Sequence, residues 1–275
     1  MDLSIIILNY KTKGLVKQCL QNVMATIKNL DYELIVIDNG SNDGCEKMIK
    51  ENFPGLKFIQ TGKNLGFAAG NNFGLKIAQG KYIMILNPDI TILDNAIEKM
   101  VAFMENNPTV GLIGPKLISP DGQYQISCRT FQTPRLILYR RTPLGRLPFA
   151  KKELDDHLML DFDHATNLEV DWVMGACMLV KKEALAKVGL LDERFFFYVE
   201  DMDWCRRFWQ NDYKVYYLAE AEMVHLYERA SALENLSHWS FNKMTRWHIA
   251  SFIKYFVKYF GLNKHVRNQS KLTVS

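Results

Sequence analysis

Nowhere does the chain carry an apolar run near the roughly 18 to 20 residues that a spanning helix requires. No transmembrane segment is expected. The first residues, MDLSIIILNY, lack the basic stretch and small-residue cleavage site of a secretory signal. Cysteine is sparse: Cys19, Cys45, Cys128, Cys177 and Cys205 form no CxxC pair and no zinc-like spacing, and their number is odd. Free, buried thiols in a reducing compartment are expected rather than disulfides. Internal repeats and low-complexity segments are missing too. Charge of one sign is not in great excess, since the net charge is +4 over 275 residues. That value does not by itself announce a nucleic-acid partner. With 48% hydrophobic and 23% charged residues, the chain is expected to be globular, not disordered. The expectation is a cytosolic protein, at most peripheral on a membrane face, as one large domain or two small ones.

What is present is an alternation. Up to about Gly114, short apolar runs alternate with helical patterns at the spacing of βαβ units. SIIIL, ELIVID, LKFIQT and YIMIL read as strands apolar enough to be covered on both faces. Three of them end on polar clusters: Asn9-Tyr10, Asp38-Asn39-Gly40-Ser41 and Asn87-Pro88-Asp89. In open parallel sheets ligands bind outside the carboxyl ends of the strands, so three clusters in register favour a site over helix caps. Asn87 and Asp89 stand out most, because YIMILNPDITI interrupts an apolar run with unpaired polar groups that are costly to bury.

GFAAGNNFG is not a dinucleotide fingerprint, since its glycines are four residues apart. Two readings stay open: close packing of a helix on its neighbour, or a phosphate at the helix start. From about Pro115 to Glu169 the sequence is irregular, with the basic run RLILYRRTPLGRLPFAKK before acidic DDHLMLDFD. Loops facing solvent or substrate are expected there. VDWVMGACMLV and KVYYLAEAEMVHL read as strands. VEDMDW places Glu200, Asp201 and Asp203 at a helix start against Phe195-Phe196-Phe197-Tyr198 and Trp204. Dipole complementation explains one or two acids at an exposed start. Three against an apolar wall suit a general base. His225 in such company is a candidate metal ligand.

These stretches resemble the family 2 glycosyltransferases, in the bacterial rhamnosyltransferase-like branch. The resemblance runs from about Leu3 to Tyr259 and rests on IIILNY, VIDNGSNDG, NLGFAAGNNFGL, MILNPDI, VMGACMLVKKEALAKVGLLDERFFFYVEDMDWCRR and MVHLYERAS. It implies a GT-A-type α/β fold with a mostly parallel central sheet flanked by helices. The nucleotide-sugar half would span about 1–114, the acceptor half about 115–235, an amphipathic helical extension 236–262 and a polar tail 263–275. By resemblance Asn9, Tyr10, Asp38, Asn39 and Ser41 surround the nucleobase, while Asn64, Gly66, Gly70 and Asn71 meet ribose and diphosphate. Asn87 and Asp89 take the D-x-D positions that hold Mg²⁺ or Mn²⁺, and His225 a further ligand position. Asn87 replaces the first carboxylate, which lowers the ligand charge. Asp201 matches the general base. Trp172, Gly175, Asp192 and Glu200 lie on the acceptor side.

The implied function is inverting transfer of a sugar, rhamnose from dTDP-rhamnose, to a hydroxyl of a polysaccharide or polyprenol-linked glycan. A sugar nucleotidyltransferase is the rival enzyme, but LNYKTKGLVKQ lacks its glycine-rich basic loop. A non-catalytic nucleotide-binding protein is the rival of another class. HWSFNKMTRWHIASFIKYFVKYFG alternates aromatic and basic residues at helical spacing. It reads as an interfacial helix on anionic lipid ahead of a helix packed on the domain, with nucleic acid a poor third.

Overall fold

In the computed structural model, residues 1–226 and 243–260 are described. The alternation of the first half folds as β1 (Leu3–Asn9), α1 (Lys13–Thr26), β2 (Tyr32–Asp38), α2 (Cys45–Asn52), β3 (Lys57–Gln60), α3 (Phe67–Ile77), β4 (Tyr82–Leu86), β5 (Ile90–Ile92), α4 (Ala96–Asn106) and β6 (Val110–Ile118). The second half adds β7 (Tyr124–Gln125), β8 (Cys128–Arg129), α5 (Pro134–Arg141), α6 (Pro148–Leu158), β9 (Leu168–Glu169), β10 (Trp172–Val173), β11 (Cys177–Lys181), α7 (Leu185–Val188), α8 (Glu200–Gln210), β12 (Lys214–His225) and α9 (Lys243–Tyr259).

The main sheet runs β3-β2-β1-β4-β11-β6-β12-β5. Side chains alternate across a strand, so β1 feeds both faces. Leu3, Ile5 and Ile7 pack with Val16, Leu20 and Val23 of α1 and Ile97 and Met100 of α4. Ile6 packs on the other face with Ala68 and Leu75 of α3 and Trp204 and Phe208 of α8. Helices on both faces explain why the strands are apolar throughout. All five cysteines are free and buried.

The four strands of the first half, β3-β2-β1-β4, are parallel. Beyond them the sheet is mixed, because β11 runs antiparallel to both β4 and β6, and β5 antiparallel to β12. The first half is parallel throughout, and beyond it β12 still runs parallel to β6 within the mixed part. Two expectations are corrected. The stretch 115–169 is not loop alone: it holds β6 to β9, two helices and a 3-10 turn. VDWVMGACMLV is not one strand but two, β10 paired with β8 and β11 in the main sheet, broken at Met174-Gly175-Ala176.

Of the two readings left open, Gly66, Gly70 and Gly74 all display the close packing. Gly74 and Gly70 seat the helix on β1, where a Cβ would lie 2.6 Å from Ile6 and 2.7 Å from Leu8. At the helix start, the Phe67 N–H donates to the Phe196 carbonyl at 2.8 Å. Gly66 has φ +87° and ψ 178°, a region open essentially to glycine alone, and a Cβ there would lie 2.2 Å from that carbonyl oxygen. Gly66→Ala should cost about 3 kcal/mol, combining backbone strain and displacement of Phe196. Urea unfolding checks this; an unchanged midpoint would refute the contact.

Candidate active site

The polar ends of β1 and β2 meet, and most of their groups are used internally. Asn9 is buried; its Nδ2 donates to Asp38 Oδ1 at 2.9 Å and Ser41 Oγ at 3.1 Å, and its Oδ1 accepts from Thr12 N at 3.0 Å. Asp43 closes the knot, accepting from Lys13 N at 3.1 Å and Cys45 N at 3.0 Å. Tyr10, by contrast, is exposed beside this knot. Asn39 Oδ1 accepts from Leu65 N at 2.9 Å, and its Nδ2 donates to Asn64 Oδ1 at 3.2 Å and to the Gly66 carbonyl at 3.0 Å. Asn9 and Asn39 thus shape the two loops that present Tyr10 and Asn64.

At the end of β4, Asp89 faces β12. His225 pairs with Ile90 in the antiparallel register, which brings His225 Nε2 to 3.4 Å from Asp89 Oδ2. The other ring nitrogen, Nδ1, lies 2.9 Å from Gln125 Oε1. Gln125 donates its amide to Ser119 Oγ and to the His225 carbonyl, both at 3.0 Å, so its oxygen is left to accept the Nδ1 proton. Nε2 is then the ring nitrogen turned toward Asp89, the orientation that second-shell partners impose on metal-ligating histidines. Asp89 Oδ1 is buried with no hydrogen-bond partner among the described residues. A carboxylate oxygen and an imidazole nitrogen fit Mg²⁺ or Mn²⁺, provided that phosphate oxygens or waters complete the shell. No group of three or more His, Cys, Asp or Glu occurs among the described residues, so protein ligands alone are few.

Asp201 sits in the first turn of α8, nine-tenths buried. Its Oδ2 accepts from Gly175 N at 2.9 Å and its Oδ1 from Met202 N at 2.8 Å. Burial raises its pKa above the ordinary aspartate range. The Gly175 and Met202 N–H groups oppose that, as does the Trp172 indole, which lies near the carboxylate but outside hydrogen-bonding geometry. Gly175 is needed for this approach, because a Cβ there would lie 3.1 Å from the Asp201 Cβ. The break between β10 and β11 is what frees the Gly175 N–H. Its neighbour Ala176 accepts from Asn87 N at 2.8 Å. Two consecutive residues therefore tie the Asp201 turn to the Asn87-Pro88-Asp89 turn.

Glu200, beside Asp201, is buried and its pKa is pushed well above the usual value, first by burial and then by the Asp201 charge. It therefore holds a proton at pH values where an ordinary glutamate is ionised. Eight buried side-chain atoms have no hydrogen-bond partner among the described residues. Four of those eight belong to Asn71, Asp89, Trp172 and Glu200, all singled out from sequence. Such orphans are rare in native proteins, and clustered on one set of residues they point to a ligand.

Asp203 and Asp192 have other work. Asp203 is fully buried; it accepts from Tyr259 Oη at 2.8 Å, Lys258 Nζ at 2.5 Å and Arg207 Nε at 2.9 Å. The Asp192 carboxylate binds Arg194 Nη2 at 2.6 Å and Lys258 Nζ at 2.8 Å. Burial alone would raise its pKa, but the hydrogen bonds from Arg194 and Lys258 hold it well below the carboxylate range. Both acids anchor α9. Phe252, Tyr255 and Tyr259 of that helix pack on Phe195, Val199 and Met202. The aromatic stripe read from sequence as a lipid-facing surface therefore packs largely on the domain, which is a correction. His238, where the extension was expected to separate, lies outside the described residues, as do 227–242 and 261–275.

This packing supports the Asp201 turn. Tyr198 and Val199 have φ +68° and +77°, left-handed values that are uncommon outside glycine and strained for valine. Ser251 Oγ donates to the Phe197 carbonyl at 3.0 Å and Lys254 Nζ to the Arg194 carbonyl at 2.7 Å. Trp247 lies over Phe196 with ring centroids 4.6 Å apart. Asp203→Ala should cost about 3 kcal/mol, because it strips half-buried Arg207 of its carboxylate and leaves Lys258 with Asp192 alone. Denaturant unfolding measures it. Removing residues 243–275 should destabilise the domain as well, not spare it.

Sequence reasoning missed Gln125, Thr12 and the Phe196 carbonyl. It also missed Asn72, whose amide donates to the Leu191 carbonyl at 2.9 Å and accepts from Leu191 N at 3.1 Å. Asn72 carried a signal, a polar residue on a helix face otherwise apolar. Gln125 carried none, since its partner is 100 residues away.

The family model for glycosyl transferase family 2 matches residues 4–189. The N-acetylglucosaminyl-diphospho-decaprenol L-rhamnosyltransferase of Mycobacterium tuberculosis is 28% identical over 74% of this chain and 70% of its own length. The rhamnosyltransferase WbbL of Escherichia coli K12 is 25% identical over 92% of each chain. Among solved structures, the mannosyltransferase PcManGT from Pyrobaculum calidifontis, in complex with GDP-Man and Mn²⁺, aligns with a TM-score of 0.58 at 18% identity, over 83% of this chain and 58% of that one. GalNAc-T7 with UDP, GalNAc and Mn²⁺ aligns with a TM-score of 0.62 at 15% identity, over 83% of this chain and 44% of that one. The chain thus spans about half the length of these two structures, whose likeness shows a shared GT-A fold. Strand ends, paired turns and the match across most of the sheet converge: the chain belongs to glycosyl transferase family 2, and bacterial rhamnosyltransferases are among its curated relatives.

Proposed function

We propose that the protein catalyses inverting transfer of a sugar, rhamnose from dTDP-rhamnose, to a hydroxyl of a polysaccharide or polyprenol-linked glycan. The observation that carries this reading is the bridge at Gly175-Ala176, which holds a buried carboxylate and the Asp89 turn on adjacent residues. The two known rhamnosyltransferases among the relatives support the choice of sugar.

In this reading Tyr10, Asp38 and Asn64 bind the nucleotide, and Asn71 turns its orphaned Oδ1 toward the donor. Asp89 and His225 would hold the divalent cation, which supplies electrostatic stabilisation of the departing diphosphate. Asp201 accepts the acceptor hydroxyl proton as that oxygen attacks the anomeric carbon from the face opposite the leaving group. Two environments push the neighbouring acids apart, which separates their roles. Asp201 keeps backbone N–H donors for its ionised form, while Glu200 stays protonated and adds no second negative charge. A lipid-linked acceptor would bring the protein to the cytoplasmic face of a membrane.

The test is a screen of nucleotide sugars for thermal stabilisation with and without Mn²⁺, followed by product analysis with the one that binds. A ligand at 100 times its dissociation constant adds about 2.7 kcal/mol. Stabilisation by dTDP-rhamnose and release of dTDP on adding acceptor is the expected result. Stabilisation by another nucleotide sugar alone would change the donor. Release of a sugar 1-phosphate would instead identify a nucleotidyltransferase.

A further inference from the structure

A helical hairpin, α5 and α6 joined by a 3-10 turn at Pro143–Arg146, carries six basic residues between Pro134 and Lys152, while its acids, Glu153, Asp155 and Asp156, all lie beyond Lys152 toward the end of α6. The hairpin is closed on itself. Arg135 reaches Glu153 at 3.4 Å, and the rings of Tyr139 and Phe149 meet edge-on at 6.1 Å. Gly145 lies so near the Tyr139 carbonyl that a Cβ would fall 2.3 Å from the oxygen. Leu136 and Ala150 are buried on the inner side. On the outer side Leu138, Leu144, Leu147 and Phe149 are 49%, 44%, 41% and 62% exposed. Exposed Arg140, Arg146 and Lys151 are interspersed with them in sequence.

Four large apolar side chains held in water by a closed turn gain nothing for the fold. An apolar tip alone would fit a protein groove as readily as a membrane. A tip accompanied by charge of one sign fits an anionic bilayer, where basic side chains meet phosphates and apolar ones enter the acyl boundary. The hairpin also borders the site: Ile137 of α5 packs in the cluster that contains Val199, Met202, Tyr255 and Trp172.

We propose that the α5–α6 hairpin docks the protein on an anionic lipid surface. The contact extends the reading of a lipid-linked acceptor, but the docking itself does not depend on the transfer chemistry. Lipid-facing residues are Leu144, Leu147 and Phe149, with Arg146 and Lys151 at the headgroups.

Flotation of the full chain with vesicles tests it, comparing phosphatidylcholine alone with phosphatidylcholine containing phosphatidylglycerol. The protein should float with the anionic vesicles only and be released by high salt. Each basic residue at such a surface contributes roughly fivefold in partition. Arg146→Glu with Lys151→Glu should therefore lower binding at least tenfold, and Leu147→Ser should lower it severalfold. All three positions are exposed, so melting temperature should stay at the wild-type value and serves as the folding control. Three outcomes would overturn the proposal. The wild type could fail to float with anionic vesicles. The variants could float as the wild type does. Or binding could survive in them and be lost on Ile253→Ser with Val257→Ser, whose side chains on α9 are 60% and 72% exposed. Because flotation uses no sugar donor, an inactive protein that still floats would refute only the transferase reading.

Discussion

Asp201→Asn is expected to lower sugar transfer by roughly 10²- to 10⁴-fold, the usual worth of a positioned general base. The structure adds a second effect. Both Asp201 oxygens accept backbone N–H groups, from Gly175 and Met202. An amide offers one acceptor, so one buried N–H loses its partner at a cost of about 1–3 kcal/mol. Steady-state rates with saturating donor, read beside a denaturant midpoint, separate the two. Glu200→Gln should retain most of the rate, because burial and the Asp201 charge favour the protonated form of Glu200. Loss of activity in Glu200→Gln with retention in Asp201→Asn would reverse the assignment.

The same acids set the pH response. Burial raises the pKa of Asp201, so the acid limb of the rate profile should lie above the ordinary aspartate value of about 3.9. Activity should rise with pH through that limb as the base ionises. Stability should move the other way. With folded pKa values above the unfolded ones, the native state binds more protons between them, and stability falls as pH rises through that window. Glu200→Gln should flatten that slope.

Asp89→Ala is expected to abolish the Mn²⁺-dependent part of nucleotide binding. At 100 times the wild-type dissociation constant, that removes most of about 2.7 kcal/mol of ligand stabilisation. His225→Ala should do less, since the carboxylate remains, and Gln125→Ala should act through His225 by releasing its tautomer, a loss of roughly 10- to 100-fold in metal affinity. Calorimetric titration of nucleotide with Mn²⁺ and with EDTA provides the readout. If EDTA and all three substitutions leave nucleotide affinity unchanged, Asp89 and His225 are a structural pair and nothing more.

Much of this molecule was legible in one dimension. Short continuous apolar runs and helical stretches between them specify a covered sheet, because each strand must bury both faces. Asn9, Asp38 and Asn87-Pro88-Asp89 were visible because polar residues inside such runs have no local reason to be there. Glu200, Asp201 and Asp203 were visible as a group for the same reason, as was the separation of Asp203 from its neighbours on the helix. Their division of labour was not. Which acid ionises depends on Gly175, 26 residues away, and which one anchors a helix depends on Tyr259, 56 residues away. The break in VDWVMGACMLV was also invisible, since a strand and a strand with one freed N–H share the same apolar pattern. The stripe on α9 misled because a helix that packs on a domain and a helix that packs on lipid both bury aromatic side chains. The sequence by itself determined the layers, the strand ends and the residue types gathered there, all of which follow from local periodicity and the cost of burying polar groups. Only the tertiary structure decided which carboxylate is held by backbone N–H groups, which anchors the last helix and which face of that helix is covered, because those depend on partners that distant segments bring within hydrogen-bonding reach.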